Sequence, residues 1–126
     1  MSEAKQHGPG FVKLVDEAKT RVKHIDIAAY KKMVEAGEPH LLVDTREESE
    51  WAAGRVAGAV HMSKGIIERD IEVKVPDKST VMVLYCGGGY RSALVADNLQ
   101  KMGYENAISL DGGWRALKES GLPLEK

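Results

Sequence analysis

The chain has 126 residues, with 18 Lys plus Arg against 19 Asp plus Glu and a formal net charge of −1 at pH 7. That length supports one domain with a real core, and the evenly interspersed charges exclude a basic nucleic-acid surface and an acidic disordered tail. No apolar stretch approaches the length that spans a bilayer, so no membrane partner is expected. Residues 1–10 are polar and lack the apolar run of a secretory signal, and the single cysteine, Cys86, rules out an internal disulfide. A soluble cytoplasmic protein is the expectation. His7, His24, His40 and His61 are scattered without metal-ligand spacing, so no metal and no cofactor are expected.

Met1 to Gly10 reads as a mobile lead-in. Phe11, Leu14, Val15 and Ala18 then mark one face of a first helix. Val22 to Ile25 reads as a short extended segment, and Asp26 is an N-cap for a helix carrying Ile27, Tyr30, Met33 and Val34 and closed by Gly37. Leu41-Leu42-Val43 is a buried-strand candidate ending at Asp44-Thr45-Arg46. An acidic helix from Glu47 to Ala53 follows, with Trp51 expected inward and Gly54 as its stop. Gly58-Ala59-Val60 suggests a brief strand. Ile66, Ile67 and Ile71 suggest a helical turn or two before the turn at Pro76-Asp77-Lys78.

Thr80 to Tyr85 is the clearest strand, and it stops at Cys86. Three glycines follow, then a helical pattern with Leu94, Val95, Leu99 and Met102 on one face and Asp97, Asn98, Gln100 and Lys101 on the other. Ala107 to Leu110 reads as the last strand. Asp111-Gly112-Gly113-Trp114 opens a final helix with Trp114 and Leu117 inward, ended by Gly121 and Pro123. Short strands alternating with helices indicate an α/β domain with a mainly parallel sheet, whose ligands gather at the carboxyl ends of strands. Cys86 and the Asp44–Arg46 pair both stand at such ends, which makes them candidates for one site.

The loop Cys86-Gly87-Gly88-Gly89-Tyr90-Arg91 has a chemical consequence. Glycines let successive N–H groups turn inward as an anion-binding nest, and the helix behind adds its unpaired N–H groups and dipole. A thiol there meets a setting that favours the nucleophilic thiolate, and Arg91 adds a fixed positive charge. The bland alternative is a Cys86 that is only a small buried hydrophobe at a strand end.

Three segments together resemble the rhodanese family of sulfurtransferases. Val43-Asp44-Thr45-Arg46-Glu47 followed by Gly54-Arg55-Val56-Ala57-Gly58-Ala59 is similar to the family's first signature. Cys86 to Ser92 is similar to its Cys-x-x-Gly-x-Arg active-site loop, and Asp111 to Trp114 through Gly121-Leu122-Pro123 to its closing signature. The resemblance spans Val22 to Pro123. It divides the chain into a lead-in and helix, residues 1–21, and one globular domain, residues 22–126. It implies a three-layer α/β/α fold around a five-stranded, mainly parallel sheet. It also implies that Cys86 takes a sulfane sulfur as a persulfide from thiosulfate or a persulfide donor. The sulfur then passes to cyanide in vitro or to a thiol in the cell, a protein acceptor included. Gly87, Gly88, Gly89, Tyr90 and Arg91 would bind the substrate. Asp44 would pair with Arg91, with Arg46 at the site's edge; the alternative is that Asp44 and Arg46 form a salt bridge that only holds the fold.

The family usually has His at Arg55 and Pro at Ala57. Gly87 and Gly88 replace basic or polar side chains found in many thiosulfate users, which leaves Arg91, the backbone nest and Lys64 for a dianionic donor and leaves the pocket open to a bulky persulfide. Tyr90 either covers the pocket mouth or packs on a neighbouring helix. Two rival functions compete. Cysteine phosphatases and arsenate reductases use a Cys…Arg loop with five intervening residues, whereas here four intervene. A non-enzymatic rhodanese-like carrier or partner-binding module is the other rival, and such modules commonly lose the cysteine.

Overall fold

The structure is a computed structural model describing residues 7–126. Met1 to Gln6, most of the expected lead-in, lie outside the described residues; helix α1 (Pro9–Lys19) begins directly after Gly8. The elements that follow are β1 (Lys23–Ile25), α2 (Ile27–Glu35), β2 (Leu41–Asp44), α3 (Glu48–Ala53), β3 (Arg55–Val56) and β4 (Val60–His61). Then come α4 (Ile67–Lys74), β5 (Met82–Tyr85), α5 (Tyr90–Lys101), β6 (Ala107–Leu110), α6 (Gly113–Lys118) and β7 (Leu124–Glu125). Five strands form one sheet in the order β1-β6-β5-β2-β4, every neighbouring pair parallel. The α/β fold with a five-stranded parallel sheet expected from the sequence is therefore present. Strands β3 and β7 form a small antiparallel pair beside it.

Alternation along β5 explains the layers. Met82 and Leu84 join a core with Ile67, Ile71, Val95 and Leu99, so α4 and α5 cover that face. Val83 and Tyr85 point the other way, to Tyr30, Leu110 and Leu117, so α2 and α6 cover the opposite face. All four β5 side chains are fully buried, as a central parallel strand requires. Each such burial contributes about 1.5–3 kcal/mol. The Asp26 carboxylate caps α2 by accepting the Ala29 N–H at 2.8 Å.

Two helix faces differ from the sequence reading because α1 lies along α5. Asp97, expected on a solvent face, is buried and receives Arg21 Nε at 3.1 Å and Nη2 at 2.8 Å. Leu14, expected inward, is half exposed, while Val15 and Ala18, expected on the same face, are buried. Trp51, expected inward, is only half-buried and packs against the stacked ring of His61 and the Arg55 guanidinium. Among the described residues, no helix is long and apolar enough to cross a membrane.

Candidate active site

Parallel register brings the carboxyl ends of β2, β5 and β6 to one edge of the sheet, with Asp44 opposite Tyr85 and Leu84 opposite Ser109. Cys86 follows β5 there and is buried. Its Sγ accepts the Gly89 N–H at 3.1 Å and the Ser92 N–H at 3.4 Å, and its thiol proton faces Ser92 Oγ at 3.7 Å. Ser92 Oγ in turn shares a 2.9 Å hydrogen bond with Ser109 Oγ on β6. These donors stabilise a negative sulfur, and α5 adds its positive end behind them. The nest therefore closes on the sulfur through Gly89 and Ser92. The Ser92 contribution goes beyond the expected Gly87-to-Arg91 set; its signal was its place in the first turn of α5, where helical amides have no carbonyl to bond.

Each glycine has its own reason. Gly89 is the N-cap of α5 with φ +94°, and a Cβ there would stand 3.0 Å from Gly112 N and 3.2 Å from Leu110 O. Gly87 lies under Arg91, whose Nη2 would be 3.3 Å from an added Cβ. Gly88 faces Arg115 of α6. The closing segment supports the loop from below: Trp114 N–H donates to Cys86 O at 2.6 Å, and Arg115 N–H to Gly87 O at 3.1 Å.

The expected Asp44–Arg91 pair does not form. Asp44 is fully buried and accepts Arg46 three ways, from its backbone N–H at 2.8 Å, Nε at 3.1 Å and Nη2 at 2.8 Å. Arg46 also donates Nη2 to Gly54 O at 2.6 Å, and its guanidinium lies 4.5 Å from the Trp114 ring centroid. Asp44 ends β2 and Arg46 lies two residues on, in the turn that follows, so the nearer guanidinium takes the carboxylate. Arg46 is accordingly buried against Trp114 and does not itself line the open space above Cys86. Burial opposes its charge, but the Asp44 hydrogen bond and charge outweigh burial and hold its pKa above the ordinary value.

Arg91 instead reaches Glu50 of α3, Nη1 to Oε1 at 3.3 Å. Burial again works against the guanidinium charge, while the Glu50 hydrogen bond and the facing Cys86 raise its pKa. Glu50 also feels burial first, yet the Glu47 N–H and Arg91 bring its carboxyl below the usual range. Nothing in the sequence pattern singled out Glu50; only the packing of α3 against the loop selects it.

Above Cys86 opens a cavity of about 660 Å³. Gly87, Gly88, Tyr90 and Arg91 line it from the loop, Glu47 and Glu50 from one side, and Trp114, Arg115 and Lys118 from α6. Lys64, expected as a cation for a dianionic donor, does not line it; it follows the edge strand β4, and its N–H donates to Thr45 O at 3.0 Å. Arg115 and Lys118 of α6 are cations that do line it. Tyr90 meets both of its expected alternatives: it lines the cavity and its ring stacks on Phe11 of α1 at 6.0 Å.

The profile of the Rhodanese-like domain family matches residues 26–120. The chain belongs to the rhodanese family. The Bacillus subtilis protein named "Putative sulfurtransferase YtwF" is 36% identical over 95 residues, covering 75% of this chain and 89% of that protein. The "Thiosulfate sulfurtransferase GlpE" of Vibrio cholerae is 29% identical over 102 residues, covering 81% and 93%. A Rhodopseudomonas palustris structure of unknown function, described as a "Possible Tyrosine Phosphatase", aligns over 99% of both chains with TM-score 0.82 and 27% identity. Helix α1 precedes the rhodanese match but falls within the span shared with that structure.

Proposed function

We propose that this rhodanese is a sulfurtransferase that carries a sulfane sulfur on Cys86 as a persulfide. The observation that carries this reading is the convergence of the Gly89 and Ser92 N–H groups on Cys86 Sγ at the floor of an open, cation-bearing cavity. The names of the Bacillus and Vibrio relatives support a transferase of this kind. In the first half-reaction the Cys86 thiolate attacks the outer sulfur of thiosulfate. The donor S–S bond breaks, its electron pair leaves with sulfite, and a Cys86–S–S⁻ persulfide remains. In the second, cyanide or an acceptor thiolate attacks the terminal sulfur. The new S–S bond breaks, thiocyanate or a new persulfide departs, and the thiolate returns. The same N–H donors serve an anion in each state, so no general base is needed.

Phosphoryl transfer, suggested by the description of the Rhodopseudomonas neighbour, fits the loop less well. Four residues separate Cys86 from Arg91, and two amides point at the sulfur itself. Incubation with thiosulfate followed by intact mass measurement tests the proposal. A gain of one sulfur atom on the wild type, lost on adding cyanide and absent in Cys86→Ser, is the expected result. Sulfur uptake by Cys86→Ser equal to wild type overturns it.

A further inference from the structure

Helix α1 carries a part of the cavity that the rhodanese core does not supply. Its C-terminal end is fixed by Arg21 on the buried Asp97, by Gln100 Nε2 donating to Arg21 O at 3.0 Å, and by Lys19 Nζ 3.7 Å from Asp111. Val15 and Ala18 are buried against the domain. So anchored, the helix directs its first turn at the mouth of the Cys86 cavity. Phe11 stacks on Tyr90 at 6.0 Å with 18° between the rings. The His7 ring lies 4.5 Å from Tyr90 and 5.1 Å from Phe11. All three rings line the cavity.

That wall has no use for thiosulfate, a small dianion that gains from N–H groups and cations. The cavity is also oversized for it: about 660 Å³ is on the order of twenty water volumes and lies in the range of sites for small organic ligands. The same cavity is also lined by Arg115 and Lys118, which offer cationic ends, and by Glu47 and Glu50, which offer anionic ones. Stacked rings favour flat peptide or apolar groups, and the mixed charges favour a ligand with both carboxylate and ammonium groups.

The geometry points to α1 as a specificity element, with His7, Phe11 and Tyr90 forming an aromatic wall that selects an organic persulfide of peptide size over thiosulfate. This rests on the sulfurtransferase reading and adds its substrate class. For a donor R–S–SH, the Cys86 thiolate attacks the outer sulfur and forms Cys86–S–SH. The donor S–S bond breaks, its electron pair leaves as R–S⁻, and the proton stays on the transferred sulfur.

The test compares kcat/KM for glutathione persulfide and for thiosulfate, with cyanide as the common acceptor, in wild type, Phe11→Ala, Phe11→Leu and His7→Ala. The wild type is expected to prefer glutathione persulfide. Phe11→Ala should cut that preference about fivefold, through KM for the organic donor. Phe11→Leu, which keeps apolar bulk without the ring, and His7→Ala, at an exposed position, should shift it in the same direction. A wild type without that preference, or a preference unchanged in the variants, overturns the inference; parallel losses with both donors assign α1 a purely structural role and do the same. Intact mass separates the two levels. Sulfur on wild-type Cys86 with an unchanged ratio leaves the transferase reading standing, whereas no sulfur from either donor removes both.

Discussion

The Trp114 amide donates to the carbonyl oxygen of Cys86 at 2.6 Å, so the start of α6 holds the backbone of the nucleophile. Gly113 makes this approach feasible. It has φ +49°, and an added Cβ would fall directly on Cys86 O and within 3.0 Å of Cys86 C and 3.1 Å of Gly87 C. Backbone cannot yield there without moving the loop. Gly113→Ala should therefore lower sulfur transfer more than tenfold and cost about 1–3 kcal/mol in urea unfolding. Gly121, φ +87° but facing open space, is the comparison. Gly121→Ala should cost only about 1 kcal/mol of backbone strain and leave the Cys86 loop undisturbed. Equal activity losses in the two variants would show that the Gly113 contact does not position the loop.

The Asp44–Arg46 pair presents a different energetic problem. Both side chains are almost fully buried, at 0% and 3% exposure, so each charge depends on the other. Removing one partner leaves a bare charge in the interior. Arg46→Ala and Asp44→Asn should each destabilise by about 3–5 kcal/mol, while Asp44→Leu with Arg46→Met should recover much of that loss. Urea midpoints at constant m-value provide the measurement. If the single variants cost no more than a surface pair, the buried-charge account fails.

These two sites mark how much the chain disclosed. The strand–Cys86–helix unit was legible because an apolar run, three glycines and a helical stripe each have local signatures. Asp26 was legible as a cap for the same reason. The partner of Asp44 was not, because choosing between Arg46 and Arg91 depends on how the turn after β2 folds back. Asp97 looked like a solvent-face residue because its burial comes from α1, a helix far away in sequence. Glu50 and Phe11 reach the site only through packing of α3 and α1, and periodicity carries no record of that.

Glu50 suggests a gain in activity. Its carboxylate holds Arg91 Nη1 at 3.3 Å and so competes with an anionic donor for the guanidinium. The pair is partly exposed, with side chains at 30% and 40%, so the competition is modest. Glu50→Gln should lower KM for thiosulfate about threefold, with the effect shrinking as ionic strength rises. Arg91→Ala should raise KM strongly and let burial push the Glu50 carboxyl up. Thiosulfate kinetics that do not change in Glu50→Gln would mean that Arg91 does not contact the donor.

The anchor of α1 should be sensitive to acid. The Asp97 carboxyl is held below the ordinary aspartate range, first by the hydrogen bond from Arg21, against burial, and also by the Arg21 and Lys101 charges. A depressed native value means that the unfolded chain binds its proton at higher pH than the folded one. The stabilisation is therefore complete above the ordinary aspartate value and is lost as pH falls through the native value. Asp97→Asn should lower Tm by about 3–6 °C at neutral pH. The gap to wild type should narrow on acidification below about pH 4 and close at lower pH. Because α1 carries Phe11 to Tyr90, the same variant should loosen that stack and increase exchange of the α1 amides. A gap in Tm that stays constant from neutral to acid pH would show that Asp97 contributes through packing, not through its charge.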